Sequence, residues 1–144
     1  ADGRRTRHYA QAKRLNLAVK NLGPTLMALM STAVVRVEGD ADQTELAAST
    51  PIRAITKAEI DPPHEYLVGA FDHADGRRAV MLMNYRFAYT AWPTVEFDCD
   101  PAEVREICQE TGAEIPVIDD SPEMDGLQLS LDAGHGRLFL LPAK

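Results

Sequence analysis

Residues 65–84 read EYLVGAFDHADGRRAVMLMN. Tyr66, Leu67, Val68, Ala70 and Phe71 form one apolar run, and Ala79, Val80, Met81, Leu82 and Met83 form a second. Between them stands Asp75-Gly76, a pair suited to a turn with positive φ at both central positions. The stretch reads as a β-hairpin whose two strands are covered on both faces. Such a hairpin needs other strands to pack on it, and the rest of the chain supplies them.

Downstream, residues 85–93, YRFAYTAWP, form an aromatic loop. Residues 94–98, TVEFD, alternate cleanly with Val95 and Phe97 inward. Residues 100–118 carry two readings. Asp100-Pro101-Ala102-Glu103 is a helix start, with an N-cap, proline at the first position and glutamate at the third. Val104, Ile107 and Cys108 would then share a helix face that ends at Gly112. The other reading is a hairpin of residues 104–109 and 114–118 turning at residues 110–113. Local pattern favours the helix. Residues 119–126 form an acidic loop. Leu127, Leu129 and Leu131 alternate with polar residues, Ala133-Gly134-His135-Gly136 turns, and residues 137–141 make a last buried strand.

Upstream, residues 52–60 read as one strand or two short ones, stopped by Asp61-Pro62-Pro63. Residues 39–50 read as a polar, acidic loop. In residues 33–38, Val35 and Val37 alternate with Arg36 and Glu38 in a β-branched strand. Residues 4–22 space Tyr9, Ala12, Leu15, Ala18 or Val19, and Leu22 as an amphipathic helix, with Gly23 to end it and Pro24 to restart the chain. Residues 25–30, TLMALM, read as a short second helix, dense enough in large apolar side chains to be docked.

Short strands with turns every eight to twelve residues indicate a mainly β protein, an antiparallel sandwich of about seven to nine strands. The helical part precedes the strands and does not alternate with them, which excludes a doubly wound fold. The expected organisation is a helical lead-in over residues 1–31 and a β-sandwich over residues 32–144.

The bulk composition suits one globular domain: 144 residues, 45% hydrophobic and 26% charged. The net charge of −7 argues against a nucleic-acid partner, which would require a basic face. The charge is uneven. Residues 1–20 hold Arg4, Arg5, Arg7, Lys13, Arg14 and Lys20 against Asp2 alone, a balance of +5 that leaves −12 for the rest. A basic helix of this kind is a solvated face or one turned to an acidic neighbour, rather than a membrane anchor. No segment has the length of a membrane span, and no signal peptide is legible. The chain starts at Ala1 and not at methionine, as a processed, trimmed or partial chain does.

The residues alone present no active site. Glu59 with Asp61, Asp98 with Asp100, Asp119 with Asp120, and Glu123 with Asp125 are sequence neighbours in polar stretches. Catalysis by paired carboxylates needs two that face each other across a cleft, from different elements. The acidic run 119–125 lacks the ligand spacing of a calcium loop. His8, His64, His73 and His135 share no zinc spacing, Cys99 and Cys108 read as buried free thiols with a bridge between them as the alternative, and no serine sits in a nucleophile elbow. No metal or cofactor is expected. The foremost surface candidate is the aromatic loop: Tyr85, Tyr89 and Trp92, with Phe87, either stack on sugar rings or cap the sandwich core or pack on the lead-in helices.

Two stretches taken together resemble a known family. Residues 9–37, with Leu22-Gly23-Pro24-x-Leu26 followed by Leu29-x-Ser31-x-x-Val34, resemble the last barrel helix of TIM-barrel glycoside hydrolases and its exit. Residues 66–84, 94–97, Glu110-Thr111-Gly112 and 129–141 resemble the C-terminal antiparallel β-sandwich of the same enzymes, closest to β-galactosidase- and agarase-like barrels. The resemblance turns the reading of residues 104–118 to the hairpin. It implies a non-catalytic accessory sandwich, partnered by an N-terminal TIM-barrel catalytic domain of the same polypeptide. In these enzymes both catalytic carboxylates stand upstream of the last helix, so no residue here takes a catalytic role. The alternative is a free-standing carbohydrate-binding module, with polysaccharide as its ligand and Tyr85, Tyr89 and Trp92 as its site.

Overall fold

The structure is a computed structural model and describes residues 6–56 and 65–144. In chain order the elements are α1 (Arg7–Leu26), β1 (Leu29–Val37), α2 (Gln43–Ser49), β2 (Ile52–Thr56), β3 (Tyr66–His73), β4 (Arg78–Asn84), β5 (Thr94–Phe97), β6 (Arg105–Ile107), β7 (Glu114–Pro116), β8 (Leu127–Gln128) and β9 (Gly136–Leu141). The strands form two antiparallel sheets. The large one runs β1-β3-β4-β9-β6-β7 and the small one β2-β5-β8. The fold is mainly β and sandwich-like, with a helix at its N-terminal end.

The hairpin of residues 65–84 lies in the middle of the large sheet. Tyr66 pairs with Asn84 and Asp72 with Arg78. Side chains alternate across a strand, so Val68, Val80, Leu82, Phe139 and Leu141 share the face toward the small sheet. There they meet Ile52, Ile55, Val95, Leu127, Leu129 and Leu131. Phe97 and Phe139 join the two layers as a tilted ring pair with centroids 5.9 Å apart. The other face of the large sheet holds a smaller cluster, in which Leu22 of α1 packs with Ala79, Ile107, Leu138 and Leu140.

The hairpin turn departs from the expected geometry. Gly76 has φ +93°, but no described non-glycine residue has positive φ, so Asp75 keeps an ordinary backbone. Gly76 N–H donates to His73 O at 2.9 Å and His73 N–H to Arg77 O at 2.8 Å. One left-handed residue after an ordinary turn closes the connection, so only glycine is demanded and only once.

The lead-in also departs. α1 does not stop at Gly23 but continues through Pro24 to Leu26. Proline so near the helix end removes a single hydrogen bond, to a carbonyl of the solvent-facing Lys20. Residues 25–30 do not form a second helix. Leu29 and Met30 open β1, paired with His73 and Asp72 of β3. The long-range ladder outcompetes local helix preference there. Thr6 caps the other end, its hydroxyl accepting from Tyr9 N–H at 3.3 Å.

Residues 39–50 are not simply a loop. A 3-10 turn leads into α2, whose Leu46 is fully buried. Gln43 holds α2 to β2 by trading two hydrogen bonds with the Ile55 backbone, at 2.9 and 3.0 Å. One apolar residue in a polar stretch is too faint a period to announce a helix. The strand expected over residues 52–60 is present to Thr56, and its remainder lies outside the described residues. Residues 104–118 form the hairpin, β6 paired with β7. The capping signal is nonetheless real. Asp100 Oδ1 accepts from Ala102 N–H at 2.9 Å, and residues Pro101–Glu103 make one 3-10 turn before the chain extends.

Candidate functional site

Residues 85–93 leave the end of β4 and carry four of the chain's exposed aromatic rings. Their backbone is held from below. Asn84, 0% exposed, donates from Nδ2 to Tyr89 O at 2.8 Å and Leu131 O at 3.2 Å, and its Oδ1 accepts from Arg86 N–H at 3.1 Å. A buried amide satisfied this way fixes a loop that has no ladder of its own. Tyr85 N–H donates to Glu65 O at 2.8 Å, Gly134 N–H to Arg86 O at 2.7 Å, and Ala91 exchanges two bonds with Leu131 at 2.8 and 2.9 Å. Ala91 and Pro93 turn inward and are buried.

The rings point the other way. Phe87 is 80% exposed, Tyr89 55%, Trp92 50% and Tyr85 39%. They do not cap the core, which Ala91 and the alternating leucines close. Tyr85, Phe87 and Tyr89 line one shallow concavity together with Glu65 and Arg86. Tyr85 and Phe87 are tilted by 56° with centroids 6.0 Å apart. Trp92 belongs to the same loop but lies outside that concavity. The loop thus brings Tyr85 and Tyr89 together and sets Trp92 apart.

Nothing in the sequence pattern singled out the charged floor of this concavity. The Glu65 side chain is 7% exposed and lies between two guanidiniums, Arg36 Nε at 2.5 Å and Arg86 Nε at 3.4 Å. Arg36 also pairs with Glu38 and lies over the Tyr85 ring, 5.6 Å from its centroid. The hydrogen bond to Glu65 is the first cause that raises the Arg36 guanidinium above its ordinary value. Glu65 and Arg36 are 29 residues apart, and only the β1–β3 pairing brings Arg36 opposite Leu67, near Glu65.

Several other titratable groups are held in structural pairs or turns. Asp98 takes Arg78 Nη1 at 2.5 Å. Glu106 and Arg137 form a bidentate pair at 2.8 and 2.5 Å. Asp119 Oδ1 accepts from Ser121 N–H and Gln128 N–H, both at 3.0 Å, closing the acidic loop on itself. His135 Nε2 meets Gln109 Oε1 at 3.1 Å. Glu59, Asp61 and His64 lie outside the described residues. Among the described residues no three His, Cys, Asp or Glu gather where a metal ion could be held. Cys99 and Cys108 are both free and half-buried. Burial pushes the Cys99 thiol up, while hydrogen bonding to Thr111 is the first cause that lowers Cys108.

The second surface is α1. Leu22 is the one buried residue of the helix. Leu15 and Val19, on the same stripe at seven and three residues' distance, are 66% and 65% exposed. Leu26 continues the stripe and is also exposed. The described part of the helix bears Arg7, Lys13, Arg14 and Lys20 and no acidic residue. No helix among the described residues is long and apolar enough to cross a membrane. Compared with family models, with curated proteins and with solved structures, the chain matches none.

Proposed function

We propose that this chain is the non-catalytic C-terminal β-sandwich of a carbohydrate-active enzyme, a glycoside hydrolase, and that α1 is the element by which it packs on the catalytic barrel. The observation that carries this reading is the stripe of α1. Leu15, Val19, Leu22 and Leu26 form one apolar row, and the sandwich covers only Leu22. Apolar area of this kind in a row is worth roughly 1.5–3 kcal/mol per side chain once covered, which favours a second body on the helix. At helical spacing Arg7 and Arg14 border the row, suit a partner whose facing surface is acidic and disfavour a second copy of the same helix, while Lys13 and Lys20 fall on the opposite side. The resemblance of residues 9–37 to a last barrel helix supplies the identity of that partner. The domain's task is then to cover and brace the barrel rather than to carry out chemistry.

The test is the coding sequence upstream of Ala1. The expected result is an open frame of βα repeats in which carboxylates close two of the strands. A start codon or secretion signal immediately before Ala1 would overturn the reading.

A further inference from the structure

We infer that the concavity of Tyr85, Phe87 and Tyr89, floored by Glu65 and Arg86, is a binding site for one ring of a neutral glycan chain. This goes beyond the proposed accessory role and uses none of α1. Three features of the site point to that ligand.

First, the site is preorganised. The aromatic residues are turned to solvent from a backbone that Asn84, Glu65 and Gly134 hold by hydrogen bonds. A ligand therefore meets rings whose main chain is already ordered, so less entropy is lost on binding. Second, the chemistry is mixed. Phe87 and Tyr89 offer exposed ring area, Arg36 lies over the Tyr85 ring, and the Arg36 and Arg86 guanidiniums supply donors beside a buried carboxylate. A pyranose presents the same combination, an apolar C–H face and a rim of hydroxyls that both donate and accept. Third, the charges cancel. Arg36 and Arg86 are matched by Glu38 and Glu65, so the floor has no net charge with which to select an anionic or cationic ligand. Glu65 is already buried and paired, so the polar groups a ligand meets are the part-exposed Arg36 and Arg86 guanidiniums, which sugar hydroxyls can accept from.

The experiment is a titration of the whole chain, labelled with 15N, against neutral β-linked hexaoses of glucose, mannose, xylose and galactose and an agarose-derived hexaose. At least one is expected to move the backbone amides of Tyr85, Phe87 and Tyr89. Phe87→Ala and Tyr89→Ala are each expected to weaken that binding about tenfold, the loss of one ring contact worth roughly 1.4 kcal/mol. Phe87 is so exposed that its removal leaves the fold intact, and Arg86→Gln tests the floor separately by weakening binding without moving the Asn84 amide. Leu15→Asp is expected to leave saccharide binding unchanged, so loss of the barrel-docking reading and loss of this one are told apart. No amide response to any of the sugars at about 10 mM, a concentration that detects even millimolar affinity, overturns the inference. So does a response that survives Phe87→Ala and Tyr89→Ala, or a concentration-dependent dimer that Phe87→Ala dissolves.

Discussion

Leu82 and Leu15 are the same side chain in opposite circumstances. Leu82 stands in the middle of the large sheet with no exposure, enclosed by both layers of the sandwich. Leu15 stands on a helical stripe two turns from Leu22 and is two-thirds exposed. One apolar surface is closed by the chain itself and the other is not. The difference shows what the fold can complete with its own residues. Two sheets suffice to seal the inner face of residues 65–84, while the outer face and α1 share only the cluster around Leu22, Leu138 and Leu140. The helix is tied to the sandwich at one place, where Asn21 Nδ2 donates to Gln109 O at 2.9 Å and Glu110 O at 2.6 Å.

The largest expected effect tests the sealed side. Leu82→Ala should cost about 3–4 kcal/mol of unfolding free energy in urea, because the cavity it leaves is walled by strands that cannot collapse. A loss under about 1 kcal/mol would mean the inner face is not closed and would break the contrast with Leu15.

Gly112→Ala probes the tie between helix and sheet. Gly112 has φ +75°, and a Cβ there would come within 2.9 Å of Asn21 O. Strain at the turn and displacement of the helix should together cost about 1–2 kcal/mol. Amide exchange should quicken over residues 18–26 and stay unchanged in β4 and β9. Equal acceleration in all three would show that α1 is part of one cooperative unit with the sandwich.

The polar surface should respond less. Asp75 accepts from Arg77 N–H at 3.0 Å, and Arg77 forks onto Glu114 at 2.9 and 2.8 Å. The Arg77 backbone N–H is the first cause that lowers Asp75 to about 2, whereas the Arg77 side chain is the first cause that lowers Glu114. Both carboxylates are depressed in the folded chain, so their stabilisation is full above the ordinary carboxylate range near pH 4 and fades as pH falls toward about 2. Arg77→Met should therefore return Glu114 toward its ordinary value and move Asp75 only partway, as read by NMR titration. Full return of Asp75 would show that the side chain, not the turn, holds it down.

The smallest effect belongs to the open side. Leu15→Ala should change the stability of this chain by no more than about 0.5 kcal/mol, since two-thirds of the residue is exposed. The same substitution in a polypeptide that also carries the proposed barrel should cost several times more. Equal and small losses in both would remove the support for docking through α1.

The candidate site was half legible. Tyr85, Phe87, Tyr89 and Trp92 stand out in residues 85–93 because aromatic residues are few in this chain. That Trp92 stands apart from the others was not legible, because it depends on Ala91 bridging Leu131. Glu65 and Arg36 were invisible as a pair, being joined by strand register and not by spacing. Asn84 looked like the end of a strand, yet it is the amide on which the loop is hung.

The sequence by itself determined the mainly β class, the hairpin of residues 65–84, the strand of residues 94–97 and the last strand. Each is marked by a period or a turn residue that acts within a few positions. Tertiary structure alone decided that residues 29–30 join a strand, that α1 runs through Pro24, that Leu46 draws residues 43–49 into a helix, and that the helix-start signal at residues 100–103 yields only a single 3-10 turn before the hairpin. Pro24 is tolerated because it lies near the helix end; in the others the local preference is worth a fraction of a kcal/mol per residue, and a ladder or a buried leucine supplies more.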